Sequence, residues 1–414
     1  MHFRETGIDA AHSKASRIAR FLPIQYTIFM HKLIPGIAAA FAVFCFFSVP
    51  VQSQEILMKD FAADSTHVKP VGRTQFSGGI LWTAFSGAGA SFTITAKKLT
   101  VTFAGDSGAR VRKADGNSNL ARVAVCVNGQ RVIDKRLLKQ EQTYTVFDVA
   151  EVQTVSVDVI KLSETAMSIA GIKKFSTDAD ATVIPAEAKS HRIEIVGDSI
   201  TCGYGVDDED RNHHFSTATE DVTKSYSYKT AQTLDADYSL VSISGWGIIS
   251  GWSDDGTKKI DQQLPSYYDK FGFSYNTYDG GKQAQTTNWD FSRFIPDIIV
   301  INLGTNDDSY CAGKQTREDD YSKHYTEFLK VVRKNNPDAH IICSLGIMGD
   351  RLYSAVQKAA ADYSHETGDT DISTFHFTPQ NSADGYAADW HPTEATHVKE
   401  AALLTAQIKS VMAW

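Results

Sequence analysis

The chain has 414 residues, 42% of them hydrophobic and 22% charged, with a formal net charge of −8. That length suits two cores, since single domains usually run ~100–200 residues. The acidic balance provides no field to attract a polyanion, so nucleic acid is not an expected partner.

The first expected element is a secretory signal peptide over residues 30–53. Met30-His31-Lys32 is a basic start, residues 33–47 form an apolar core, and Ser48-Val49-Pro50-Val51-Gln52-Ser53 ends in small residues before a cut after Ser53. Residues 1–29 then read as an upstream extension. A transmembrane anchor is the alternative, but the apolar core is shorter than the ~20 residues a span needs. The mature chain is therefore expected to be secreted or periplasmic, monomeric, and without stable membrane insertion.

From Val71 to about Asp180 the pattern is short and period-two, as in Ala90-Ser91-Phe92-Thr93-Ile94-Thr95 and Val155-Ser156-Val157-Asp158-Val159, with turns such as Asn128-Gly129 between runs. Regularly spaced short strands predict a β-sandwich or jelly roll over residues 54–185. A Gly105-Asp106-Ser107 sequence there has no helix after it and reads as a turn.

After Lys189-Ser190 the period changes. Strand-like runs at 192–197, 238–244, 297–303, 339–345 and 371–377 alternate with helical stretches near 221–235, 317–335, 351–365 and 394–412. That order predicts an α/β fold with a doubly wound parallel sheet over residues 186–414. The long excursion 251–294, rich in aromatics, reads as a lid or wall beside a site. The acidic run Asp207-Asp208-Glu209-Asp210 with His213 and His214 lacks the spacing of a calcium or zinc site, so no metal or cofactor is expected. Cys126, Cys202, Cys311 and Cys343 match no redox motif, and no disulfide framework is expected.

Three blocks carry chemistry. Gly197-Asp198-Ser199 follows a strand-like run, which is where an α/β sheet exposes a nucleophile. Gly304-Thr305-Asn306-Asp307 follows another, and Asp389-Trp390-His391-Pro392 precedes the last helix. Together they offer a nucleophile, Ser199, an amide donor for an oxyanion, Asn306, a base, His391, and an acid beside it, Asp389, which is a set for acyl transfer. His397 reads as a packing or capping residue. With an ordinary histidine pKa, activity is expected to fall below pH ~6.5.

These blocks, with Ser242-Ile243-Ser244-Gly245, resemble the SGNH hydrolases; no Gly-x-Ser-x-Gly elbow occurs. The resemblance implies an oxyanion hole made by the Ser199 and Gly245 N–H groups and the Asn306 side chain, with Asp389 or a backbone carbonyl orienting His391. Gly197-Asp198-Ser199-Ile200-Thr201-Cys202-Gly203-Tyr204-Gly205, Ser244-Gly245-Trp246-Gly247, Trp289-Asp290-Phe291 and Gly72-Arg73-Thr74 narrow it to carbohydrate esterase family 2, such as acetyl xylan esterases. That family implies a jelly roll before an SGNH domain and deacetylation of plant cell-wall polysaccharide, acetylated xylan or glucomannan. Trp246, Trp252, Tyr275, Trp289, Tyr310 and Trp390 fall in loops at the expected catalytic end, and Trp246, Trp289, Tyr310 and Trp390 are the expected sugar contacts. Two other readings remain open from the residues alone: an SGNH lipase or thioesterase, and an inactive carbohydrate-binding protein.

Overall fold

A computed structural model describes residues 58–110 and 119–414. The expected signal peptide lies outside the described residues. Ten strands come first: β1 Met58–Ala62, β2 Lys69–Val71, β3 Thr74–Ser77, β4 Ile80–Thr83, β5 Gly89–Gly105, β6 Arg122–Val127, β7 Gln130–Arg136, β8 Glu141–Lys161, β9 Ala170–Asp178 and β10 Thr182–Pro185. All of them pair antiparallel along the order β3-β4-β9-β5-β8-β6-β7, with β1 on β9 and β2 and β10 on β5. β5 and β8 are 17 and 21 residues long, and breaks in their register at Ala96/Lys98 and Leu99/Thr100 let one ladder bend. Alternate residues of β5, Phe92, Ile94, Leu99, Val101 and Phe103, face a core shared with Val123, Val125, Val155, Val157 and Phe175.

The second sheet is parallel throughout: β11 His191–Gly197, β12 Ala236–Ser242, β13 Ile298–Asn302, β14 His340–Leu345 and β15 Ile372–His376, in the order β12-β11-β13-β14-β15. Counted within this sheet the order is 2-1-3-4-5, whose direction of winding reverses between β11 and β13; ligands of such sheets bind at the carboxyl ends beside that reversal. Helices α1 Ser199–Cys202, α2 Tyr226–Thr233, α3 Thr305–Cys311, α4 Gln315–Asn335, α5 Tyr353–Thr367 and α6 Glu394–Met412 follow the strands. One face packs Val196, Ile299, Ile301 and Cys343 against α4 and α5; the other packs Ile193, Ile195, Val300 and Ile342 against α2 and α6. β11, β13 and β14, buried on both faces, carry apolar runs that made them legible, whereas the edge strand β15, Ile372-Ser373-Thr374-Phe375-His376, alternates and is only partly buried.

The excursion 251–294 is neither a lid nor free. Its backbone bonds to the β region through Tyr275 N–H to the Ala166 carbonyl (3.0 Å) and Ser107 N–H to the Thr277 carbonyl (2.9 Å). Arg73, fully buried, crosses from the β2–β3 turn to the Tyr268 and Lys270 carbonyls and the Glu194 carboxylate on β11. The segment is a strut between two sheets. Among the described residues no helix is long and apolar enough to cross a membrane, and the four cysteines are unpaired.

Candidate active site

β11 ends at Gly197, where a Cβ would meet the Thr201 hydroxyl at 2.0 Å, so only glycine fits between the strand and the first turn of α1. Asp198 caps that turn by accepting the Ile200 N–H (3.0 Å), and Ser199 is its first residue. The Ser199 Oγ lies 2.8 Å from His391 Nε2 across 192 positions of chain. His391 Nδ1 is 3.1 Å from the Ala388 carbonyl. A carbonyl only accepts, so Nδ1 carries the ring proton and Nε2 presents its lone pair to the serine hydroxyl. Burial pushes the imidazole pKa down to about 4, against the Ala388 hydrogen bond and the Asp389 charge. The ring is thus neutral well below the pH ~6.5 expected for an ordinary histidine.

Asp389 does not orient the imidazole, which corrects its expected place in a triad. Its carboxylate accepts from the Tyr204 hydroxyl (2.5 Å), His214 Nδ1 (2.8 Å) and the Phe215 N–H (3.2 Å). Burial raises its pKa, and these bonds more than offset that and hold it below the usual value. The reason is backbone shape. Asp389 and Trp390 both take left-handed conformations, φ +48° and +63°, a strain of order 1–3 kcal/mol each. This turn brings the Ala388 carbonyl to His391 and sends the Asp389 side chain to Tyr204. Tyr204 was missed: its ring stacks on His391 with centroids 3.8 Å apart and planes 16° from parallel.

Two further loops reach the same sheet edge. After β12, Ile243 to Trp246 form a turn closed by the Trp246 N–H on the Ile243 carbonyl (3.3 Å), with Gly245 at φ +81°. A Cβ there would meet nothing within 4 Å, so the positive φ, not crowding, is what calls for glycine. After β13, Asn306 enters α3 and its amide donates to the Trp246 carbonyl (2.9 Å) and Asp198 Oδ2 (3.3 Å). Asp307 beside it accepts the N–H groups of Ile248, Ile249 and Ser250 at 2.7–3.1 Å. Burial lifts Asp198 to about 7, with the Asp307 charge adding to it, and lifts Asp307 to about 6 against those three bonds. His397 is apart from this chemistry; its Nδ1 accepts the Tyr226 N–H at the start of α2 (3.2 Å).

The expected sugar contacts divide. Trp390 is 49% exposed, with Arg211 4.2 Å from its ring; Trp252, not among the expected contacts, is 57% exposed, and its backbone N–H donates to the Gly245 carbonyl (2.8 Å). Trp246 and Trp289 are not available to a sugar, being 2% and 7% exposed. Trp246 packs on Tyr267 and Phe273, and the Trp289 ring has the guanidinium groups of Arg293 and Arg73 at 4.9 and 5.5 Å. The Tyr310 ring is covered by Arg317 at 4.1 Å. Position in a loop did not distinguish these side chains, because exposure depends on what packs over the loop.

A buried group behind the site was also missed. Glu164, Glu220 and Cys202 offer atoms within 4.8 Å of one another, a spacing a metal would accept. Lys161, fully buried, provides a cation beside them, and burial pushes its pKa down to about 8 against the charges of Glu220 and Glu164.

Comparison with known proteins matches residues 70–186 to a family described as carbohydrate esterase 2 N-terminal, and residues 195–399 to the GDSL-like lipase/acylhydrolase family. The chain belongs to carbohydrate esterase family 2. An acetylxylan esterase / glucomannan deacetylase of Cellvibrio japonicus is 28% identical over 85% of this chain and 91% of its own length. The cellulase/esterase CelE of Acetivibrio thermocellus is 33% identical over 54% of the chain, which spans only 26% of that longer protein. A family two carbohydrate esterase from Clostridium thermocellum, solved in complex with cellohexaose, superposes with a TM-score of 0.71 at 25% identity, over 84% of this chain and 99% of that one. An acetyl xylan esterase from the rumen bacterium Butyrivibrio proteoclasticus shares the fold of this esterase, with a TM-score of 0.76 over 86% of this chain and 99% of that one, at 24% identity.

Proposed function

We propose that this carbohydrate esterase is a secreted deacetylase of plant cell-wall polysaccharide, working through an acetyl-serine intermediate. The observation that carries the mechanism is the 2.8 Å contact of Ser199 Oγ with a histidine whose other nitrogen is held by a carbonyl. As Ser199 attacks the acetyl carbonyl, His391 Nε2 takes the hydroxyl proton and returns it to the departing sugar oxygen. The tetrahedral oxyanion is met by the Ser199 and Gly245 N–H groups and by Asn306, which trades its longer contact, to Asp198, for the new charge. His391 then draws a proton from water, which attacks the acetyl-serine, and returns it to Ser199 Oγ as that bond breaks and acetate is freed. The base is a dyad member oriented by Ala388, with Asp389 acting on it through the Tyr204 hydroxyl and through its charge.

An acetylated xylan or glucomannan is the proposed substrate. The names of the Cellvibrio relative and the cellohexaose bound to the Clostridium esterase support a carbohydrate ligand. Trp390 and Trp252, exposed beside His391 and Gly245, give a pyranose apolar C–H faces to stack on. Export through the signal peptide at residues 30–53 takes the esterase to that substrate, where it acts as a monomer. Acetate release from acetylated xylan and glucomannan tests the reading. Wild type should release acetate and Ser199→Ala none, with nitrophenyl-ester activity falling sharply beyond two or three carbons; preference for long acyl chains would make it a lipase, and no release an inactive binder.

A further inference from the structure

Glu164 belongs to the antiparallel half, three residues past the end of β8, yet its carboxylate is spent on the hydrolase half. Glu164 Oε2 accepts the N–H of Ser244 at 2.7 Å. Its own N–H donates to Glu220 Oε2 (2.8 Å), and its carbonyl accepts from Lys161 Nζ (2.8 Å), which also donates to the Ser163 carbonyl. Lys161, Glu164, Glu220 and Cys202 are all buried, so the Glu164 carboxyl is shielded from water; its backbone is tied on both sides, Oε2 is bonded to Ser244, and Oε1 is buried without a hydrogen-bond partner. A hydrogen bond in such surroundings is strong, and its loss leaves an unpaired polar group.

Ser244 and Gly245 are the middle residues of the turn from Ile243 to Trp246. Turns of types I and II differ by about 150° in ψ of the second residue and about 170° in φ of the third, which is a flip of the peptide between them. Here that peptide is Ser244–Gly245, and the flip would swing the Gly245 N–H away. The positive φ of Gly245 is the type II choice. The peptide before it is gripped through the Ser244 N–H by Glu164, and the one after it through the Gly245 carbonyl by the Trp252 N–H (2.8 Å).

We propose that Glu164 is a positioning residue for the oxyanion hole: the antiparallel half delivers its carboxylate to the Ser244 N–H and so fixes the direction of the Gly245 N–H. The proposal rests on the reading of Gly245 and Asn306 as oxyanion donors. It makes the β region part of the catalytic apparatus, whatever glycan it touches.

Two substitutions remove the bond from opposite sides. Glu164→Leu deletes the acceptor at similar size. Ser244→Pro deletes the donor, and proline suits the second position of this turn. Each should lower kcat about tenfold to a hundredfold at nearly constant KM, the scale of a displaced or lost transition-state donor. Glu164→Gln keeps an oxygen to accept the N–H and should retain most of the rate, a rescue that loss of fold would not show. If Glu164→Leu does not fold, Ser244→Pro carries the test, since it alters no residue of the buried cluster and asks only that the Glu164 carboxyl withdraw from the proline ring. Asn306→Ala is the control: if it leaves kcat intact, the oxyanion reading itself fails. If Asn306→Ala lowers kcat while Ser244→Pro keeps the wild-type rate, or if Glu164→Gln is as slow as Glu164→Leu, the positioning role is wrong.

Discussion

Gly105-Asp106-Ser107 and Gly197-Asp198-Ser199 are the same tripeptide at the ends of two strands. In the first, Asp106 accepts the N–H groups of Gly108 and Ile169, and the Ser107 hydroxyl accepts the Thr277 N–H at 2.9 Å. In the second, Asp198 caps α1 and the serine hydroxyl meets an imidazole nitrogen. Both aspartates are buried and both have raised pKa values. What separates them is the sheet each strand belongs to. An antiparallel strand is followed by a neighbour that returns alongside it, whereas a parallel sheet gathers the carboxyl ends of every strand on one edge. Only at the second do the loops after β12, β13 and β15 converge, in Trp246, Asn306 and His391.

Substitution makes that contrast quantitative. Ser199→Ala should abolish acetate release with little change in thermal midpoint, while Ser107→Ala should leave the rate near wild type; equal losses would erase the distinction. His391→Ala should cost ~10⁴ or more in kcat, having no counterpart at the first motif. Asn306→Ala should lower kcat by ~10²–10³ with little change in KM, and a rise in KM at constant kcat would make it a ground-state contact. Asp389→Asn should fall well short of the ~10⁴ loss of a true triad aspartate, to about tenfold. Its effect should overlap with that of Tyr204→Phe in a double-mutant cycle, because both act through one hydroxyl; additive losses would separate Asp389 from Tyr204.

The smallest expected effect is on the pH profile. His391 works as a base only when neutral, and its pKa is lowered to about 4, so kcat/KM should hold through pH 6 and fall only near pH 4. Removing the Asp389 charge, which raises that pKa, should move the acid limb lower still. An acid limb at pH 6.5 would mean a solvated imidazole.

The parallel sheet was legible because β11, β13 and β14 carry apolar runs buried on both faces, and each observed strand begins and ends within two residues of the run expected for it. α1 and α3 were not, since four and seven residues are too few to show a period. Ser199, Asn306 and His391 were singled out by strand-end position and block order. The partner of His391 was not readable: adjacency in sequence says nothing about direction when Asp389 and Trp390 both turn left-handed. Glu164 and Tyr204 escaped because their roles depend on contacts across 80 and 187 positions (244 − 164, 391 − 204).

The central claim is that the second Gly-Asp-Ser, and not the first, carries the acyl group. Rapid quench of the esterase with an activated acetyl ester, followed by peptide mass analysis, reads this directly. The acetyl adduct should appear on the peptide containing Ser199 during turnover and vanish as substrate is consumed. An adduct on Ser107 or elsewhere, or steady turnover by Ser199→Ala, would contradict the account.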